Sequence, residues 1–222
     1  MKLRLYQFHL SPFCAKVRKI LDYKGLPCEL VEVDYIERKE LVAASGQAMV
    51  PALTFADGTT VNDSEKIVER LEMLQPEPTL FPSGWHGVHR ALARYFDTEF
   101  EELMLRAAMP DLLEARRRDG AEALAMFRLI KERKYGEGFC ERMCAQSEAN
   151  TRRAAEAMAP LDESLTDRAF LTGRIGLADF ALYGQLYLLA FGGELKIPFE
   201  FRNLRAFFSR IDRIEFRLDQ AG

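Results

Sequence analysis

Three short stretches of this chain carry residues whose types and spacing can do chemistry. The first is Ser11-Pro12-Phe13-Cys14. Serine is a preferred helix N-cap and proline suits the first helical position, so the tetrapeptide reads first as a well-made helix start. The same place has a chemical use. Free N–H groups and the positive end of the helix dipole stabilise a thiolate or carboxylate beside Ser11 and Cys14. The spacing is that of a redox C-x-x-C in which serine replaces the first cysteine.

The second stretch is Val50-Pro51, directly before the apolar run Ala52 to Phe55. Proline cannot donate to a sheet ladder and marks a strand entry there. The ordinary trans peptide is the default expectation. A cis bond would turn the Val50 N–H and C=O outward toward an extended, peptide-like ligand. The third stretch, Asn62-Asp63-Ser64-Glu65, is a capping pattern. It can also receive both ends of an α-amino acid group: the ammonium on Asp63, and the carboxylate on the Ser64 hydroxyl and the helix-start N–H groups.

Other candidates read as structural. Cys140 and Cys144 share a helical face at i, i+4, but no neighbouring histidine completes a metal site, and no metal is expected. His86 and His89 are given no chemistry. The run Arg116-Arg117-Arg118, followed by Asp119, reads as a solvated helix face.

These stretches need elements to hold them together. Residues 3–8 and 29–33 read as strands and residues 15–24 and 36–44 as helices, a βαβα unit. Residues 52–55, a turn at Asp57-Gly58, residues 60–62 and a helix through Ile67, Val68 and Leu71 add ββα. Six of the nine prolines precede residue 83, and the segment 75–87 carries three of them without periodicity, so a boundary falls there. The expected division is a domain over 1–76, a linker over 77–87 and an all-α domain over 88–222. Helices are expected over 88–117, 121–134, 139–166, 178–191 and 203–214.

Composition narrows the function. With 48% hydrophobic and 29% charged residues, the 222-residue chain has globular composition. A net charge of −3 lacks the basic excess a nucleic-acid binder needs. No apolar run approaches the roughly 20 residues of a membrane span, and the start MKLRLYQFHL develops no signal-peptide pattern. Four sparse cysteines fit a reducing compartment, so the expected location is the cytoplasm.

In their order within a βαβα-ββα framework followed by an all-α domain, the three stretches resemble the glutathione transferase superfamily. Asp63-Ser64-Glu65-Lys66-Ile67 and Gly173-Arg174-Ile175-Gly176-Leu177-Ala178-Asp179 extend the resemblance along nearly the whole chain. It implies an N-terminal thioredoxin-like domain, α/β, before the helical one. It also implies glutathione as co-substrate, contacted by Ser11, Phe13, Val50, Pro51, Asp63 and Ser64, with Ser11 stabilising the thiolate that attacks a small hydrophobic electrophile. The electrophile pocket would involve Leu10, Phe13, Tyr95 and Glu99, and the protein would be a homodimer. The Ser-Pro-Phe opening looks like tau-type transferases. Omega-type and dehydroascorbate-reductase members open with Cys-Pro-Phe, and Cys14 keeps a thiol–disulfide oxidoreductase as the alternative beside a non-catalytic binding protein. Ser11 to Leu26 also look like the prostaglandin E synthase type two group, whose motif is Cys-Pro-Phe-Cys. The usual polar contact before Val-Pro is missing, leaving Gln47, Arg38 or Lys39 for the glycyl carboxylate. Gly176 replaces the usual Ser/Thr helix cap, and that motif supports folding.

Overall fold

The computed structural model describes residues 2–215; Met1 and residues 216–222, the end of the expected second domain, lie outside the described residues. Alternation in β1 (Leu3–Gln7) sends Leu3 and Leu5 to one face and Tyr6 to the other, as a strand's two-residue period requires. The first face packs under α1 (Pro12–Tyr23) and α3 (Ser64–Leu74). The second meets Val33, Leu41 and Ala52, with Leu41 on α2 (Lys39–Ser45). With β2 (Cys28–Glu32), β3 (Ala52–Thr54) and β4 (Thr60–Asn62) the sheet order is β2-β1-β3-β4. β1 and β2 run parallel and the other pairs antiparallel.

The register sets up the site. Ala52 faces Tyr6 on one side and Asn62 on the other. The end of β1, the start of β3 and the end of β4 therefore lie along one end of the sheet. Ser11 follows β1, Val50-Pro51 precede β3 and Asp63 follows β4, so one edge gathers all three stretches.

The helical half comprises α4 (His86–Tyr95), a π-helical turn (Phe96–Phe100), α5 (Glu101–Ala107), α6 (Met109–Arg118), α7 (Ala121–Tyr135), α8 (Phe139–Ala145), α9 (Ser147–Ser164), α10 (Leu177–Leu186), a short 3₁₀ turn (Tyr187–Leu189) and α11 (Arg202–Asp212). The single helix expected over 88–117 is interrupted twice. The π turn adds a residue to the ladder, and Pro110, lacking an N–H, opens α6 instead of continuing α5. The helix expected over 139–166 breaks at Gln146 (φ −102°), where the Asn150 side chain donates to the Met143 carbonyl at 3.2 Å. Helix 178–191 stops early, at Leu186.

Between α3 and α4 the chain is fastened down. The Lys24 ammonium is fully buried, pairs with Glu72 at 2.7 Å, and donates to the carbonyls of Gln75 and Pro78. Leu80 is fully buried, and its carbonyl accepts from the Leu177 N–H at 2.8 Å.

That contact begins α10, all ten residues of which are buried. Asp179 accepts from the N–H groups of Gly176 and Leu171, each at 2.9 Å. Gly176 has no side chain to cap the helix; His89 supplies the acceptor from α4, its Nδ1 receiving the Ala178 N–H at 3.2 Å. The Thr172 hydroxyl donates to the Arg174 carbonyl, so His89 Nε2 carries the proton given to Thr172 Oγ1 at 3.0 Å. Burial lowers the His89 pKa and pushes the Asp179 carboxyl up to about 7. Further along, α10 lies so close to α1 that a β-carbon on Gly184 would sit 2.6 Å from the Pro12 carbonyl oxygen. One apolar core runs through both halves.

Candidate functional site

The site is built where α1 begins. Ser11 is extended (φ −79°, ψ 124°), and its Oγ accepts from the Cys14 N–H at 3.4 Å. The hydroxyl also carries a proton to donate, and its side-chain hydrogen bond to the Cys14 thiol works against the effect of burial there. Cys14 is fully buried, and burial pushes its thiol up to about 11. A thiol in that state has almost no thiolate at neutral pH.

α1 is held by a buried ion pair between the halves. Lys16, 2% exposed, pairs with Asp97 of the π turn, and Gln185 of α10 donates to the same carboxylate at 3.3 Å. The Lys16 ammonium also lies 5.6 Å from the centre of the Phe13 ring, which orients the residue two places after Ser11.

At the next strand the Val50-Pro51 bond is cis, contrary to the trans expectation; a tertiary amide makes that form accessible. Asp63 adopts φ 77°, a region side chains avoid, and its carboxylate accepts from the N–H groups of Glu65 at 2.8 Å and Lys66 at 3.3 Å. Ser64 is buried behind it.

A cavity of ≈ 300 Å³ opens beside Ser11. Ser11, Phe13 and Val50 line it, whereas Pro51, Asp63 and Ser64 lie outside it along the same sheet end. Leu10 also lines it, but Tyr95 and Glu99 do not. Tyr95, at the end of α4, packs instead against Phe96 and Phe100. Glu99 opens on a separate acidic cleft beyond Phe13. The far wall comes from α5, α6 and α7 instead, chiefly Glu101, Leu105, Leu112, Phe127 and Lys131. Burial raises the Glu101 pKa and lowers that of Lys131.

Arg116 corrects the solvated-face reading of the basic run. The side chains of Arg117 and Arg118 are 61% and 78% exposed, but that of Arg116 is only 8% exposed and lines the cavity. Its guanidinium carbon lies 4.0 Å from the Tyr35 ring centre, and that of Arg38 lies 5.0 Å from the same ring. Arg38 donates to the carbonyls of Tyr35 at 3.0 Å and Ala48 at 2.7 Å. Of Gln47, Arg38 and Lys39, Arg38 is the one that lines the cavity. Tyr35, Glu101, Arg116 and Lys131 escaped the sequence reading. Only Arg116 left a trace, four residues after Leu112 and so on the same helical face.

Among the described residues, no helix is long and apolar enough to cross a membrane. Residues 5–79 match the family profile for the glutathione S-transferase N-terminal domain. The chain is 43% identical over 72 residues to prostaglandin E synthase 2 of Danio rerio, a match covering 32% of this chain and 19% of that protein. The chain thus spans about a fifth of that relative's length. Among solved structures it is similar to a glutathione S-transferase from Methylobacterium radiotolerans in complex with glutathione sulfonate, with 26% identity and a TM-score of 0.64 over 96% of this chain and 91% of that one. It is also similar to glutaredoxin 2 from Salmonella typhimurium in complex with glutathione, with 20% identity and a TM-score of 0.72 over 96% and 94% of the two chains.

Proposed function

Because this chain belongs to the glutathione S-transferase superfamily, with residues 5–79 forming its N-terminal domain, we propose that it conjugates glutathione to a small hydrophobic electrophile. The observation that carries the reading is the position of Ser11: its Oγ accepts from the Cys14 N–H, its hydroxyl carries a proton it can donate to a sulfur, and it stands at the wall of a largely apolar cavity. A glutathione sulfur there would receive that proton in a hydrogen bond, which favours the thiolate. The thiolate then forms the new C–S bond while the electrophile's leaving group departs with the bonding pair.

In this reading the glutathione backbone runs along Val50 and Pro51, its γ-glutamyl group meets Asp63 and Ser64, and Phe13 flanks the thiol. Glutathione-bound neighbours of the same fold support glutathione as the ligand. The alternative, thiol–disulfide exchange through Cys14, is disfavoured by that residue's burial. The protein is proposed to act in the cytoplasm as a homodimer of chains divided into 1–76 and 88–222 by the segment 77–87; light scattering reporting a monomer overturns the dimer. Binding to immobilised glutathione, with turnover of chloro-dinitrobenzene and of hydroxyethyl disulfide, tests the function. Chloro-dinitrobenzene turnover lost in Ser11→Ala supports it. Absence of both binding and turnover leaves the non-catalytic binding protein.

A further inference from the structure

The helical wall of the cavity carries a cation that is incompletely answered. Arg116 is 6% exposed, its Nη1 donates to Asp119 at 2.8 Å, and its Nε is buried with no acceptor among the described residues. A buried guanidinium donor without a partner is costly, and the stacking on Tyr35 at 4.0 Å, with Phe8 at 5.8 Å, fixes the group in place. Lys131 and Arg38 bring two more positive charges to the same cavity, and Arg38 spends its donors on backbone carbonyls that carry no compensating charge. Against these three cations stand Glu101, and Asp119 behind Arg116 on the rim of a neighbouring cleft. Much of the remaining wall is apolar, including Leu105, Leu112 and Phe127.

Resting on the transferase reading, we infer that the electrophile is an apolar molecule bearing an acidic group, a carboxylate or sulfonate, which Arg116 receives while Lys131 adds a second positive charge. Guanidinium presents paired N–H donors that can bind two oxygens of such an acid at once. The acid belongs to the second substrate because of where the two arginines arise. Arg38 is tied to Ala48 just ahead of Val50, on the thioredoxin-like side. Arg116 projects from α6 beside Leu112, among the apolar residues an electrophile would meet, and its guanidinium reaches across to the Tyr35 ring that Arg38 also covers, so S-methylglutathione affinity decides between the two acids.

Two dyes that differ only in the acid separate these assignments: 8-anilinonaphthalene-1-sulfonate and N-phenyl-1-naphthylamine. Both are titrated by fluorescence into the full chain, with and without saturating S-methylglutathione. Arg116→Gln is expected to weaken the sulfonate dye by about tenfold or more and to leave the neutral dye unchanged. Arg116→Lys, keeping the charge, should retain part of the preference. Equal weakening of both dyes, or of neither, overturns the inference. So does a loss that falls on S-methylglutathione affinity instead, which would give Arg116 to the glycyl carboxylate. Should Arg116→Gln fail to fold, Lys131→Gln decides: selective weakening of the sulfonate dye supports the site and an unchanged ratio overturns it. No turnover is needed, so a protein inactive with chloro-dinitrobenzene that still prefers the acid loses the transferase reading alone.

Discussion

Gly176 and His89 fit only as a pair: a β-carbon on Gly176 would stand 2.7 Å from His89 Nε2 and 2.9 Å from Nδ1. The imidazole occupies the place of a capping side chain and performs its task from another helix. Serine, ordinarily worth about 1 kcal/mol at an N-cap, should therefore be harmful here. Gly176→Ser is expected to cost about 2 kcal/mol in urea unfolding through overpacking. Adding His89→Ala should recover part of the loss, and a stabilised Gly176→Ser single variant would refute the pairing.

The same corner sets two opposed pH dependences. His89 is held below its ordinary pKa, so its contribution to stability is present above about 6.5 and is lost as pH falls from there toward the folded value. Asp179 is pushed up to about 7, so its folded form retains a proton the unfolded chain gives up, and stability declines as pH rises from about 4 through 7. Relative to wild type, His89→Gln should lose the slope that favours higher pH, and Asp179→Asn the slope that favours lower pH. Each is limited to about 1.4 kcal/mol per pH unit for one proton. Thermal melts from pH 4.5 to 8 measure both, and difference curves of the same sign would contradict the assignment.

Lys16 and Asp97 make the clearest stability test. Asp97→Asn strands a buried ammonium, and a loss of about 2–3 kcal/mol is expected. Lys16→Met in that background should restore most of it. A double-mutant cycle in urea reads the coupling, and additive losses would show that the pair is not a unit.

For the chemistry, Ser11→Ala should lower kcat/KM with chloro-dinitrobenzene by about 10²-fold, the scale of losing one aimed donor. The acid limb of its pH profile should move toward higher pH as the bound thiol reverts to its free acidity. Cys14→Ala should change neither.

Cys14 should also resist labelling. With its thiol up at about 11, the thiolate fraction at pH 7.5 is about 3 × 10⁻⁴. Iodoacetamide treatment of the native protein followed by peptide mass spectrometry should find Cys14 unmodified while the unfolded protein labels fully. Rapid native labelling would reopen the redox reading.

The sheet was legible because its signals are local. Alternation at Leu3 and Leu5, the turn at Asp57-Gly58 and the capping residues Ser11 and Asp63 each act within a few positions. The breaks in the long helices were less so: the π turn at Phe96–Phe100 contains neither proline nor glycine, and Gln146 likewise ends α8 without either. Ser11, Phe13 and Val50 stood out because one sheet edge collects them. Glu101, Arg116 and Lys131 reach the cavity from three helices, and no spacing within any one of them records where the others lie. The partner of Gly176 was hidden for the same reason, 87 positions upstream at His89.

The burial of α10 also has a consequence for synthesis. The apolar face of α1 leaves the ribosome early, but the helix that covers it begins at Leu177, about a hundred residues after the Leu80 carbonyl that will anchor it. At roughly 5–20 residues per second that interval lasts about 5–20 s. For that time the nascent N-terminal half leaves uncovered the α1 face that Gly184 and Phe180 will meet at Pro12, Lys16 and Tyr23, so a chain released before Leu186 is expected to lack the packing that completes its core.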